Sequence, residues 1–184
     1  KPANIYAISK ITNELMAYDF CQKYGKQLIG LRFFTVYGPW GRPDMAPMIF
    51  TDAILNNRPI KVFNNGNMSR DFTFIDDIIE LIFRSIKKIE REEIPINLND
   101  PTPAFVFNLG NSSPVNLLAF IKEIEKGLGL EAIKHYEIMQ PGDVKDTYAD
   151  NTKIQNWLNF KPNIEISSGV KKFIDWYKTY YKFD

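Results

Sequence analysis

The run Leu28-Ile29-Gly30-Leu31-Arg32-Phe33-Phe34-Thr35-Val36 constrains this chain most. It is short, apolar and rich in β-formers, the pattern of a strand buried on both faces of a helix-covered parallel sheet. Before it lies a segment, 5–24, in which Ile8, Ile11, Leu15, Tyr18 and Phe20 recur at helical spacing up to Gly25. Helix followed by buried strand is the repeating unit of an α/β fold.

The remainder continues the alternation. Residues 37–47, rich in Pro and Gly, read as a loop and 48–57 as a short helix. Residues 60–63 and 70–75 read as two strands around the tight turn Asn64-Asn65-Gly66-Asn67. Asp76 or Asp77 is expected to cap a helix running to about Ile89. A loop over 90–104 leads to a strand over 105–109. Ser113 is expected to cap the next helix, with Pro114 in its first turn and Leu117, Leu118, Ile121, Ile124 and Leu128 as its apolar stripe. A strand over 133–138 follows, then a loop over 140–143 and helices over 151–158 and 167–181.

Charge and composition narrow the function. The net charge is +1 with no basic tract, which argues against nucleic acid or an anionic membrane as partner. Cys21 is the only cysteine, which fits a reducing compartment. No apolar run approaches the ~18–20 residues that span a bilayer, and no signal-peptide pattern is visible, so the cytoplasm is expected. His135 stands alone, and no metal site is expected. The string Gly127-Leu128-Gly129-Leu130-Glu131-Ala132 matches a dinucleotide fingerprint. It follows a helix and leads toward a strand, the reverse of what a pyrophosphate on a helix N-terminus needs, so it reads as a helix stop.

Four groups of residues carry chemistry. Tyr6 and Lys10 stand at i and i+4 and share a helix face. An ammonium beside a phenol favours the phenolate, which can take a hydroxyl proton. Leu31-Arg32-Phe33-Phe34-Thr35-Val36-Tyr37-Gly38-Pro39 ends a strand, where ligands bind in open parallel sheets. Ser69-Arg70-Asp71-Phe72 sets one guanidinium among aromatic residues, suited to a diphosphate unless Asp71 or Asp76 pairs with it. Gln140-Pro141-Gly142-Asp143 presents a carboxylate in a turn, able to accept from a ribose hydroxyl or to cap the turn.

In this order the four resemble the extended short-chain dehydrogenase/reductase family of nucleotide-sugar epimerases and dehydratases. The string Phe33-Phe34-Thr35-Val36-Tyr37-Gly38-Pro39-Trp40-Gly41-Arg42-Pro43-Asp44-Met45-Ala46 resembles the UDP-glucuronate 4-epimerase subgroup, as do Met139 to Val144 and the closing Phe173-Ile174-Asp175-Trp176-Tyr177. The resemblance implies an NAD-dependent enzyme with Tyr6 as base and acid at the sugar 4-hydroxyl. Lys10 would bind the nicotinamide ribose and tune Tyr6, and Phe33 and Phe34 would neighbour the nicotinamide. Arg42 and Arg70 would hold the diphosphate, Phe63 would lie against uracil, and Asp143 would take the uridine ribose. Many relatives carry Arg where this chain has Gln140, which makes Arg42 the expected replacement. Neutral-sugar relatives usually carry Asn where Thr35 stands; Thr35 would hold the uronate carboxylate and keep the keto intermediate from losing carbon dioxide.

The same resemblance implies a carboxy-terminal remainder of a Rossmann-like parallel sheet, over 1–36 and 76–110, and a small α/β substrate domain over 37–75 and 111–184. With no initiator Met and with chemistry-bearing residues at once, residue 1 is expected to be a cut point. A UDP-sugar substrate is implied, with a homodimer in the parent enzyme or the missing amino-terminal half as protein partner. The rivals are a catalytically inactive fragment and a UDP-glucuronate decarboxylase.

Overall fold

Asn4 starts the first helix. Its side chain accepts from the Ala7 amide at 2.8 Å, and α1 (Ile5–Tyr24) runs to Gly25 as expected. A computed structural model describes residues 2, 4–26, 28–91, 106–140 and 143–183.

The expected single strand over 28–36 is two strands. β1 (Gly30–Phe33) runs parallel to β6 (Val106–Leu109), and β2 (Thr35–Tyr37) runs parallel to β5 (Phe72–Phe74). The change of partner falls at Phe34. Its amide donates to the Leu109 carbonyl at 3.0 Å, whereas the next amide, Thr35, donates to Asp71 at 3.2 Å. The Val36 amide closes back on the Phe34 carbonyl at 3.0 Å, a three-residue turn that kinks the run. Burial on both faces is also not found: β1 is half-buried at Gly30 and Leu31, and exposed at Arg32 and Phe33.

The expected hairpin is absent as well. β3 (Ile60–Phe63) pairs in parallel with β8 (Lys134–Glu137), and a 3₁₀ turn, Asn64–Gly66, carries the chain away. β4 (Ser69–Arg70) pairs antiparallel with β7 (Val115–Asn116). Local turn chemistry signalled the reversal, but the long-range partners took the hydrogen bonds.

Two caps differ from expectation. α3 (Ile75–Ile89) has Phe74 at its N-cap, without a side-chain bond. Asp77 lies in the first turn and accepts instead from the Asn163 and Ile164 amides at 3.2 and 2.9 Å. α4 (Leu117–Leu128) is capped by Asn116, not Ser113, because β7 occupies the intervening residues. Gly129 ends α4 at φ 69°, a left-handed stop and not a phosphate loop. α2 (Ala46–Leu55), α5 (Thr152–Leu158) and α6 (Ile166–Tyr181) complete the set.

Two apolar clusters hold these elements. The larger unites α2, α4 and α6 with β2, β3 and β5; Phe120 stacks on Phe72 at 4.0 Å and Tyr37 meets both edge-on. The smaller joins Ile78 and Leu81 of α3 to Phe107 and Leu109 of β6, with Ile29, Leu31 and Val36 packed against it. α5 lies within 111–184 yet contributes Ile154 and Leu158 to this second cluster. The buried Asp71 ties segments together, accepting from the Asn111 amide at 2.8 Å and the Ala149 amide at 2.9 Å. No helix among the described residues is long and apolar enough to cross a membrane.

Candidate active site

Helical spacing puts Lys10 one turn beyond Tyr6, and its Nζ lies 5.1 Å from the centre of the Tyr6 ring. Tyr6 as a residue is 70 % exposed. Both residues line a concavity of about 600 Å³ between α1 and β1, together with Glu14, Gly30, Arg32 and Phe33.

A second cavity, of about 670 Å³, opens where β2, β3 and β4 meet α2. It gathers Thr35, Phe63, Arg70 and Asp143 from four separate stretches of sequence. Its walls are mainly apolar, including Ile49, Phe50 and Met68, with few polar groups, the composition and size of a small-molecule site. Tyr6 and Arg70 thus line different concavities. The strand run joins them: Phe33 lines the first and Thr35, two residues on, the second.

Arg70 is fixed in its strand and lines the cavity. Its strand is held by β7 on one side and by 145–147 on the other, where the Thr147 amide donates to the Ser69 carbonyl at 3.2 Å. Its Nη1 donates to the Ser69 and Lys145 carbonyls, both at 2.9 Å. The bland alternative, a salt bridge with Asp71 or Asp76, is not formed. Asp71 faces backbone amides and Asp76 pairs with Lys172 at 3.2 Å. No ion pair among the described residues involves Arg70, so its charge is available to an anion.

Other expected residues lie apart. Arg42 is exposed and forks onto Asp44, so it does not line the cavity. Its guanidinium is held above its ordinary value by hydrogen bonding to Asp44 and by that carboxylate's charge, with the smallest contribution from the Tyr6 phenol. Phe34 is half-buried at the partner change and lines neither space. Asp143 donates its amide to the Gln140 carbonyl at 3.1 Å; Pro141 and Gly142 lie outside the described residues. His135 pairs with Glu137 at 3.4 Å.

Sequence reasoning missed Asp52 and Arg58, an ion pair on the cavity wall, and Lys61 beside it. Their only sequence signal is Arg58-Pro59 ahead of β3. It also missed Glu14 and Arg32, although Glu14 stands four residues beyond Lys10.

Residues 1–99 of the 184 match the NAD dependent epimerase/dehydratase family. Protein CapI of Staphylococcus aureus is 49 % identical over 187 residues, covering 98 % of this chain and 56 % of that protein. A probable UDP-glucuronate 4-epimerase of Rhizobium meliloti is 40 % identical, covering 99 % of this chain and 55 % of its own length. The crystal structure of a UDP-glucuronic acid 4-epimerase from Bacillus cereus, in complex with UDP-glucuronic acid and NAD, superposes with a TM-score of 0.82 at 30 % identity, covering 96 % of this chain and 53 % of that one. The chain thus spans about half the length of the curated relatives it matches. With its Tyr-x-x-x-Lys helix inside the matched stretch and parallel strand pairs behind it, the chain belongs to the NAD dependent epimerase/dehydratase family.

Proposed function

We propose that this chain is the substrate-binding, carboxy-terminal part of an NAD-dependent UDP-glucuronate 4-epimerase. One observation carries the reading: Thr35, Phe63, Arg70 and Asp143 converge on one cavity, with Arg70 unpaired, beside the Tyr6–Lys10 concavity. The similarity to 4-epimerases supports the substrate class. The residues around 1–36 and 76–110 form the cofactor side in this reading, and most of the remainder the substrate side.

The residues near Tyr6 fit the nicotinamide end of NAD: a phenol and an ammonium for ribose hydroxyls, and the half-exposed Phe33 ring as an apolar wall. The sequence's one Gly-x-Gly-x-x-Ala run ends α4 at the left-handed Gly129, so it does not cradle a pyrophosphate. NAD, when bound, supplies a reversible hydride acceptor for the sugar C4. Tyr6 takes the proton of the 4-hydroxyl and later returns it, and Lys10 favours its phenolate. Phe63 covers the uracil, Asp143 accepts from the uridine ribose and Arg70 holds the diphosphate. Arg42 joins Arg70 only if it leaves Asp44. Gripping the nucleotide and not the sugar leaves the oxidised sugar free to present its other face. Thr35 donates to the uronate carboxylate and holds it out of line with the adjacent carbonyl π system, which disfavours loss of carbon dioxide.

The exposed apolar residues of α1 and the side of β1 away from β6, which pairs with no strand among the described residues, are seats for the dinucleotide-binding half and for a second copy in a homodimer. The 184-residue chain alone is expected to be inactive and to bind UDP-sugar weakly or not at all. The lone cysteine is in keeping with a cytoplasmic enzyme. The test is product analysis of the full-length enzyme with UDP-glucuronate. UDP-galacturonate is expected, and a decarboxylated UDP-pentose as main product overturns the reading. In Thr35→Val the pentose by-product should rise; an unchanged ratio removes Thr35 from this role.

A further inference from the structure

Glu14 stands four residues beyond Lys10 on α1, the spacing at which a lysine and a glutamate meet on a helix surface. The carboxylate goes elsewhere. Arg32 of β1 takes both of its oxygens, Nε to Oε1 at 2.6 Å and Nη2 to Oε2 at 2.6 Å. No ion pair among the described residues involves Lys10, and its Nζ lies over the Tyr6 ring. Tyr6, Lys10, Glu14 and Arg32 all line the same concavity.

We infer that Arg32 is a positioning residue for the Tyr6–Lys10 pair: by engaging both oxygens of Glu14, it keeps that carboxylate away from Lys10. The inference deepens the proposed function and rests on it for the role of Tyr6. A carboxylate beside Lys10 would cancel much of the positive field that favours the Tyr6 phenolate. Two features make Arg32 the stronger claimant. The guanidinium meets a carboxylate through two parallel hydrogen bonds, whereas an ammonium offers a point charge. Lysine placed before glutamate at i, i+4 is also the weaker order for a helix pair. The fork holds the Arg32 guanidinium above its ordinary value through the hydrogen bonds from Arg32 to Glu14. The charged groups around the phenol are therefore Lys10 and Glu14 on its own helix, Arg32 from β1, and Arg42 from the loop after β2, the last already bound to Asp44.

The experiment compares Arg32→Met, Glu14→Gln and the double variant in the full-length enzyme. Ionisation of Tyr6 is followed by NMR of tyrosine labelled at the ζ carbon and assigned with Tyr6→Phe, without turnover. In Arg32→Met the freed carboxylate turns to Lys10, and the Tyr6 midpoint should rise by about half a pH unit. At neutral pH kcat should then fall about threefold, with KM for the UDP-sugar changed less than about twofold. The double variant has no carboxylate to misplace, and its midpoint and kcat should return toward wild type. Arg32→Lys keeps the charge without the fork, should give an intermediate midpoint, and replaces the methionine variant if that does not fold. A double variant as impaired as Arg32→Met, or a Tyr6 midpoint that stays put in both Arg32 variants, overturns the inference and leaves the pair as a strut between α1 and β1. An enzyme with no activity on UDP-glucuronate would sink the proposed function instead, while the Tyr6 titration would still decide the role of Arg32.

Discussion

Helices α1 and α4 carry similar apolar residues and meet opposite fates. In α4, Phe120, Ile121 and Ile124 are fully buried, clamped by α2, α6 and the β2–β5 pair. In α1 only Cys21 is buried, while Leu15 stays 54 % exposed and Met16 66 %. The Arg32–Glu14 fork is the polar tie between α1 and β1. Apolar spacing thus specifies which face a helix will bury, but not what it will be buried against. α4 finds its partners within these residues and α1 does not.

The comparison is most exposed to Phe120→Ala. Phe120 stacks on Phe72 and meets Tyr37 edge-on. Its truncation should cost about 3–5 kcal/mol in urea denaturation, the transfer loss of a fully buried ring plus the cavity it leaves. A loss near that for an exposed residue would mean that this cluster is loosely packed.

Gly169→Ala should come next, at about 1–3 kcal/mol. A Cβ there would lie 2.1 Å from the Tyr37 hydroxyl oxygen and 2.9 Å from the Phe74 ring, so α6 would have to back away from the sheet. A neutral effect would show that the α6 contact gives easily, as the α1 edge is expected to.

The third test uses alkali. Burial, with a further push from the Asp77 charge, raises the Tyr37 hydroxyl well above the ordinary tyrosine value. Burial and Asp52 push Tyr177 up to about 12. Both hydroxyls keep their protons longer in the folded state. Their contribution is therefore complete below the unfolded value of about 10 and is lost as pH climbs through the folded one. Denaturation midpoints should fall above about pH 10, and less steeply in Tyr37→Phe. Equal slopes for both proteins would remove Tyr37 as the cause.

The smallest effect is expected at Leu15→Ala, within about 0.5 kcal/mol for the 184-residue chain. A cost close to that of Phe120→Ala would mean that α1 is covered in solution, and light scattering would show whether a second copy covers it.

The helices were legible because their cues are local. The spacing from Ile8 to Phe20 and the stop at Gly25 give α1 its length, and the stripe from Leu117 to Leu128 gives α4 its buried face. The candidate site was partly legible, since Tyr6 and Lys10 need only one helix to meet. Arg70 was recognisable as a lone guanidinium among aromatic residues, but not as unpaired. That depended on Asp71 being turned inward by amides forty and seventy-eight residues away. Arg42 was expected at the diphosphate from the resemblance alone, and Asp44, two residues on, forks with it, so that it does not line the cavity.

What the order of residues settled here is what neighbours in the chain can settle: helix lengths, an α/β alternation and a Tyr–Lys pair one turn apart. What it left open were choices among distant backbone partners. The break at Phe34, the pairing of β3 with β8 in place of a hairpin, and the meeting of Thr35, Phe63, Arg70 and Asp143 all depend on which strands lie side by side. Hydrogen-bonding capacity is the same at every strand, so only the packing of the two cores selects among them.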